Sequence, residues 1–261
     1  MRSKRSTGPA GPSYQAPALE KGLDILEQLS ASDQGLTQND IARLVGRSVS
    51  EIFRVLSTLE QRGYITRVQG RYRLSLRLFQ LAHNNPPVER LLWDALPVMR
   101  ALAARAQQSC HIAVRHEDLV LVIGQMNAPT PIGLGVRLGS CFPVAETTSG
   151  LVLLAYESPA TVEAWLKDLV PAERKRAHSR GIPDKLAMIR RRGFHKEPSA
   201  NVTGVTNLSY PIKNHLGDAI AALTLLYLGQ TTNPAPLGAV QQMVGDAARQ
   251  IGLALGAQHE T

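Results

Sequence analysis

The sequence predicts an α+β chain in two parts, and three observations carry that prediction. Residues 18–63 place apolar side chains at helical spacing between capping signals, residues 110–139 and 201–228 run in short strand-like segments on either side of a helical stretch, and Leu237 to Leu255 returns to a helical stripe. An antiparallel sheet with helices before, within and after it satisfies all three. At 261 residues and 44% hydrophobic composition, the chain can bury one large core or two modest ones.

The first seventeen residues, MRSKRSTGPAGPSYQAP, are basic and rich in Gly, Pro and Ser without an apolar centre, which predicts a disordered basic tail and no secretory signal. Arg2, Lys4 and Arg5 there would add nonspecific attraction to a polyanion or reach a minor groove. Leu19, Leu23 and Leu26, with Ile25 and Leu29 alongside, mark an amphipathic first helix that should cover the back of the next elements. In TQNDIARLVG, Thr37 can accept from the amides of the first helical turn, Asp40 follows three residues later, and Ile41, Leu44 and Val45 form a stripe ending at Gly46. In SVSEIFRVLSTLEQRG, Ser48 and Glu51 have the spacing of a capping box, and Gly63 ends the helix in the left-handed region. The short interval between these two helices is that of a helix-turn-helix.

At about 100° per residue, Val49, Ile52, Phe53, Val55, Leu56 and Leu59 fall on one arc of the second helix. Ser50, Arg54, Ser57, Thr58 and Gln61 fall on the other, a set that suits a major groove, where Arg pairs with guanine and Ser or Gln addresses several base edges. An ordinary solvated helix face looks the same, so the helix alone does not decide. The next stretch does. YITRVQGRYRL alternates around Gln69-Gly70 and predicts a hairpin of Ile65–Val68 with Arg71–Leu74, a wing. From Gln61 to Val88 there is no Asp or Glu, while Arg62, Arg67, Arg71, Arg73 and Arg77 are present. A run of one sign beside a groove-sized helix is what phosphate binding needs. Residues 1–87 hold twelve Lys or Arg against seven acids, so about a third of the length supplies most of the net charge of +8.

These segments resemble a known family. KGLDILEQL followed by LTQNDIARLVGRSVSEIFRVLSTLEQRGYITRVQGRYRLSLRLFQLA is similar to the DNA-binding domain of the IclR family of bacterial transcriptional regulators, over residues 18–82 almost without gaps. RVLSTLEQRGY and GRYRLS are the specific part; the helix-turn-helix alone is shared with many regulators. Val49 stands where the family commonly has Lys, and Glu51 where it commonly has Thr, so the operator sequence does not transfer. The DNA-binding set expected from spacing and resemblance is Arg47, Ser50, Arg54, Ser57, Thr58, Arg62, Arg67, Arg71 and Arg73.

HNNPP breaks the pattern after Ala82 and places a boundary near Asn84 to Pro87. The expected organisation is a tail over 1–17, a winged helix-turn-helix over 18–83, a linker and connecting helix over 84–108, and an effector and oligomerisation domain over 109–261. Leu91 to Gln107 reads as a helix interrupted at Pro97, with Leu92, Leu96, Met99, Leu102 and Ala106 near one face. CHIAVR, a turn at His116-Glu117-Asp118, LVLVIGQM and IGLGVRLG then read as antiparallel strands. Gly133, Gly135 and Gly139 miss the dinucleotide-binding spacing and are read as strand glycines.

CFPVAETTSGLVLLAY aligns with the family's effector loop and the helix that it feeds. Thr147, Thr148 and Ser149 can cap that helix, whose free amides attract a carboxylate. Ala145, Glu146, Thr147, Thr148, Ser149 and Gly150 are therefore one candidate pocket wall; a well-capped packing helix is the competing interpretation. Ala145 replaces a frequent His of the family and Leu151 a frequent Lys. SPATVEAWLKDL reads as a capped helix, ERKRAHSRG and DKLAMIRRRG as basic helix faces ending at Gly193, and NVTGVTNLSYPI with AIAALTLLYL as the last hairpin. The family pattern implies that Asn207, Ser209 and Thr224 line the pocket, and that the second part is a GAF-like domain. Asn207 stands where Cys or Arg is frequent, and Leu226 where a hydroxyl is, so an aromatic acid is as compatible as a two- or three-carbon one.

Several functions are disfavoured by what the sequence contains. The longest apolar run, Ala219 to Leu228, is too short to cross a bilayer, and two cysteines without CxxC spacing fit reduced thiols, so a cytoplasmic location and no membrane partner are expected. Cys110, His111 and His116 invite a metal reading, but adjacent strand residues point to opposite faces and no second ligand pair appears; neither metal nor cofactor is expected. No G-x-S-x-G, Walker or H-E-x-x-H motif occurs, and Cys110, Cys141 and Ser149 lack an assignable base, so catalysis is not expected. The expected function is a sequence-specific regulator of a double-stranded DNA operator, modulated by a small organic acid and acting as a homodimer or dimer of dimers. A ligand-independent architectural DNA-binding protein is the alternative.

Overall fold

The structure is a computed structural model that describes residues 16–83, 86–131, 133–170, 174–175, 177, 179–229 and 235–257. The basic tail, the Asn84 side of the expected boundary and part of ERKRAHSRG lie outside the described residues. The chain divides into two compact units between Pro86 and Pro87. As predicted, it is α+β, with an N-terminal winged helix-turn-helix and a C-terminal antiparallel sheet carrying helices.

The first unit runs α1 (Pro17–Ser30), β1 (Leu36–Thr37), α2 (Gln38–Val45), α3 (Val49–Gln61), β2 (Ile65–Val68), β3 (Arg71–Leu74) and α4 (Arg77–His83). Both expected caps are present. Thr37 and Asp40 exchange hydroxyl and carboxylate bonds with each other's backbone amides, and Ser48 and Glu51 do the same at the start of α3. At the far end of α3 the Tyr64 amide donates to Leu59 and Gly63, at φ 74°, donates to Glu60. Gln69 (φ 50°) and Gly70 (φ 77°) are both left-handed, so β2 and β3 join through a two-residue turn whose twist matches the strands. β3 also pairs with β1, a short strand that the sequence did not announce.

The core of this unit is small: Ile25, Leu29, Ile41, Ala42, Ile52, Leu56, Ile65 and Tyr72. Two apolar stripes are narrower than expected for that reason. In α1 the buried line is Gly22, Ile25 and Leu29, because Gly22 brings the helix close to Val55 of α3; Leu19 and Leu23 are exposed. In α3 the buried pair is Ile52 and Leu56, flanked by half-buried Val55 and Leu59, and Val49 and Phe53 are exposed.

The second unit contains α5 (Pro86–Ala106), β4 (Cys110–His116), β5 (Leu119–Met126), β6 (Cys141–Pro143), α6 (Thr148–Ala155), α7 (Pro159–Asp168), α8 (Ile182–Arg192), β7 (His195–Pro198), β8 (Val205–Lys213), β9 (Ala219–Leu228) and α9 (Leu237–Ala254). The six strands form one antiparallel sheet in the order β6-β5-β4-β9-β8-β7. One sheet face, with Cys110, Ile112, Leu208, Leu223 and Leu225, packs on α5 and α9. The other, with Ala113, Val120, Val122 and Ala222, packs on α6, α7 and α8.

Two expectations are corrected here. α5 is continuous through Pro97: the ring lacks the amide that would bond the Trp93 carbonyl, but both residues lie on the exposed side while Leu91, Ala95, Met99, Leu102, Ala103 and Ala106 are anchored in the core. The buried line is shifted from the expected one, with Leu92 and Leu96 only partly buried beside it. Second, IGLGVRLG is not a strand. Among its described residues, 133–137 have no regular secondary structure and no ladder pairing, and Gly135 lies so close to Gln125 and Asn127 that a Cβ there would meet their side chains at 2.9 and 2.8 Å. The edge strand is β6, just beyond it.

Candidate nucleic-acid interface and ligand cavity

Ser50, Arg54, Ser57, Thr58 and Gln61 are all exposed along one side of α3, with Arg47 before its first turn and Arg62 at its end. Thr58 donates its hydroxyl to the Arg54 carbonyl, leaving its oxygen to accept only. Glu60 is exposed in the last turn of this helix, and its other acid, Glu51, is committed elsewhere. Its carboxylate takes the Ser48 amide and hydroxyl and lies 3.3 Å from Lys21 of α1, bonds that hold its pKa down at about 2. It stays ionised and pinned to the cap.

The wing arginines are exposed but do not form one sheet of charge. Strand pairing places Arg71 and Arg73 on the same face as Thr66 and Val68, whereas Arg67 lies opposite Tyr72 and stacks its guanidinium 5.4 Å from that ring. Arg71 donates to the Gly35 carbonyl at 3.1 Å, and Arg73 donates twice to the Gln34 carbonyl at 3.3 and 3.1 Å. These bonds tie the wing to the loop before β1. The single arginine surface read from the sequence is therefore two faces, because the alternation of a strand separates Arg67 from its neighbours.

In the second unit, a cavity of about 740 Å³ opens where the α6 side of the sheet stops being apolar. Ala113 and Ala222 face the helices; two residues along each strand, the same face carries His111 and Thr224, paired across β4 and β9. Asn207 and Leu226, paired across β8 and β9, continue the floor. Glu146, Thr147, Thr148 and Ser149 form a wall, Leu134, Val136, Arg137 and Phe142 a second, and Arg180 with residues 199–202 a third. A volume of this size suits an organic molecule of roughly ten to twenty heavy atoms.

Of the residues expected at the pocket, Glu146, Thr147, Thr148, Ser149, Asn207 and Thr224 line the cavity, and Ala145, Gly150 and Ser209 do not. A single 3-10 turn at Val144–Glu146 buries Val144, sets Ala145 against the helix core and leaves Glu146 at the cavity. Gly150 is a spacer: a Cβ there would fall 2.0 Å from the Val144 carbonyl oxygen, and its amide is taken by the Thr147 hydroxyl at 2.9 Å. Ser209 is fully buried behind the wall, donating to Thr148 Oγ1 at 2.8 Å and lying 2.7 Å from Thr224 Oγ1. With Ser209's single proton on Thr148, Thr224 donates to Ser209 and keeps its own lone pairs toward the cavity.

The sequence did not assign His111, Arg137, Phe142 or Arg180 to the cavity. His111 is buried, its Nδ1 has no partner among the described residues, and desolvation lowers its pKa to about 4, so it is neutral at pH 7. Asn207 Oδ1 is likewise buried without a partner. The position of His111 on the α6 face, opposite Thr224, is readable from strand alternation once the register is known. Arg137 and Arg180 sit on irregular segments where no periodicity points. Cys110 faces the other way, donating its thiol to the Met99 carbonyl at 3.6 Å, and burial pushes its pKa up to about 12.

Comparison with known proteins decides the class. Residues 89–253 match the family model described as bacterial transcriptional regulator IclR C-terminal, and residues 18–69 match the IclR helix-turn-helix domain. The chain belongs to the IclR family. It is 27% identical to the HTH-type transcriptional regulator XynR of Escherichia coli strain K12, over 92% of this chain and 97% of that protein. It is 28% identical to the glycerol operon regulatory protein of Streptomyces coelicolor, over 75% and 78%. Its fold is similar to the crystal structure of an IclR homologue from Microbacterium hydrocarbonoxydans complexed with 4-hydroxybenzoate, with a TM-score of 0.77, 25% identity and coverage of 91% of this chain and 98% of that one. The IclR family consists of transcriptional regulators, and this member has its DNA-binding helix-turn-helix and effector-binding domains in that order. Among the described residues, no helix is long and apolar enough to cross a membrane.

Proposed function

We propose that this IclR-family regulator reads a specific operator through α3, grips phosphates through Arg62 and the wing, and releases or tightens that grip when a small organic acid fills the cavity. The observation that carries the effector half is a pair of buried polar atoms without partners among the described residues, His111 Nδ1 and Asn207 Oδ1, in the cavity floor with Thr224. Leaving such groups unpaired costs about 1–3 kcal/mol each, a penalty that a ligand with matching donors and acceptors removes. Two arginines against one glutamate around the rim, with the amides of Thr148 and Ser149 at the helix start, favour a carboxylate. The 4-hydroxybenzoate complex of the Microbacterium relative puts aromatic hydroxy acids first among the compounds to try.

A helix-turn-helix reads half-sites about one helical turn apart, so a homodimer or a dimer of dimers is the working form. Effector control is then two-state: the acid binds one arrangement of the second unit better and by that difference shifts the pairing of recognition helices. The test is a thermal-shift screen of small aliphatic and aromatic acids, followed by operator titration with and without each hit. At least one acid is expected to raise the melting temperature and change operator affinity five-fold or more. Arg180→Gln should weaken that acid about tenfold without altering the melt of the free protein. If no acid moves either readout, the architectural alternative stands.

A further inference from the structure

We propose that Phe53 reads DNA: its ring packs on the 5-methyl group of a thymine, so that each half-site carries a thymine beside the base addressed by Arg54. The inference rests on α3 being the groove-entering helix. Phe53 is 56% exposed in the middle of a helix whose adjacent Ile52 and next-turn Leu56 are 0% and 1% exposed. At about 100° per residue its side chain lies within about 40° of Ser57 and 60° of Ser50, on the edge of the polar arc rather than in the core. Val49, one turn earlier and 41% exposed, extends the same apolar edge. Phe53 belongs neither to the first unit's buried core nor to the partly buried residues packed against it.

A phenyl ring turned to solvent between hydroxyls and guanidiniums calls for an apolar partner, and charge decides which. Among the described residues Arg47 and Arg54 have no ion pair; of the helix's two acids, Glu51 is held at the Ser48 cap and by Lys21, and exposed Glu60 lies two turns beyond the ring, in the last turn. The unpaired guanidiniums beside the ring favour a polyanion over a purely apolar protein face, and the helix-turn-helix that holds them makes that polyanion DNA. In the major groove the only exposed methyl group belongs to thymine, and Phe is among the side chains that contact it.

The test uses the full chain and the operator that it selects from random duplexes. Each thymine of that operator is replaced singly by deoxyuridine, which keeps every hydrogen-bonding group and removes the methyl. Wild type is expected to lose about three- to fivefold in affinity at one thymine per half-site, the effect of one buried methyl. Phe53→Ala should bind the thymine and uracil operators alike and keep its melting temperature, since the ring is exposed; Phe53→Leu should retain the thymine preference. The proposal is overturned if no uracil substitution affects wild type, if Phe53→Ala keeps the sensitivity, or if Phe53→Ala changes the oligomeric state instead of base preference. Those outcomes leave DNA binding intact. A wild-type chain that selects no sequence removes the groove reading and this proposal together.

Discussion

His111 shows how burial changes the chemistry of a single side chain. Desolvation holds it neutral down to about pH 4, against an ordinary value of 6.5. Between those values the unfolded chain takes up a proton that the folded chain does not, so stability is full above pH 6.5 and falls as pH drops toward 4. The depression corresponds to about 3 kcal/mol. His195, also lowered chiefly by burial, adds loss in the same direction, so the variant comparison is what isolates His111. Denaturant melts at pH 7 and pH 4.5 should therefore converge for His111→Asn relative to wild type; an unchanged pH dependence would show that the ring is solvated. Gly150 makes a steric point at the same scale. With the Val144 carbonyl 2.0 Å from a would-be Cβ, Gly150→Ala must displace backbone, and a loss of about 2–3 kcal/mol in urea unfolding is expected.

At the scale of elements, what was legible in the sequence is what local chemistry fixes. Thr37 with Asp40 and Ser48 with Glu51 started their helices where expected, and Gln69-Gly70 turned the wing, because a cap or a two-residue turn depends on residues three or four apart. Ser48→Ala should cost about 1 kcal/mol in thermal or chemical unfolding. Gln69→Asn should add about 0.5 kcal/mol, since asparagine tolerates the left-handed conformation that Gln69 adopts at φ 50°. Elements decided by packing were less legible. Pro97 does not interrupt α5 because six buried side chains hold the helix on the sheet, and the faces of α1 and α3 follow the width of a small core rather than the count of apolar residues. The arginines of the wing were legible as a charge run but not as faces, since Arg71 and Arg73 depend on carbonyls of Gln34 and Gly35 nearly forty residues earlier.

For the whole molecule, the sequence revealed two units, the family and the candidate DNA side in detail, and the candidate cavity only in outline. Thr147, Thr148, Asn207 and Thr224 were found because the family pattern and strand alternation point to them. Arg137, Arg180 and the neutral His111 were not, because a cavity is assembled from segments far apart in sequence and its polar atoms become conspicuous only once their partners can be counted. The DNA side leads to a division of labour that mutation can separate. Arg54 stands on the α3 face and should carry base preference, whereas Arg67, stacked over Tyr72 on the wing, should carry phosphate attraction.

Selection from random duplexes with wild type, Arg54→Ala and Arg67→Ala, followed by salt titration of the selected operator, separates these roles. Wild type is expected to enrich a two-half-site motif, Arg54→Ala to lose information at one base step per half-site, and Arg67→Ala to keep the motif while binding all duplexes more weakly, with the salt slope reduced by about one. Identical motifs and identical salt slopes for all three proteins would contradict a DNA-reading surface made of α3 and its wing.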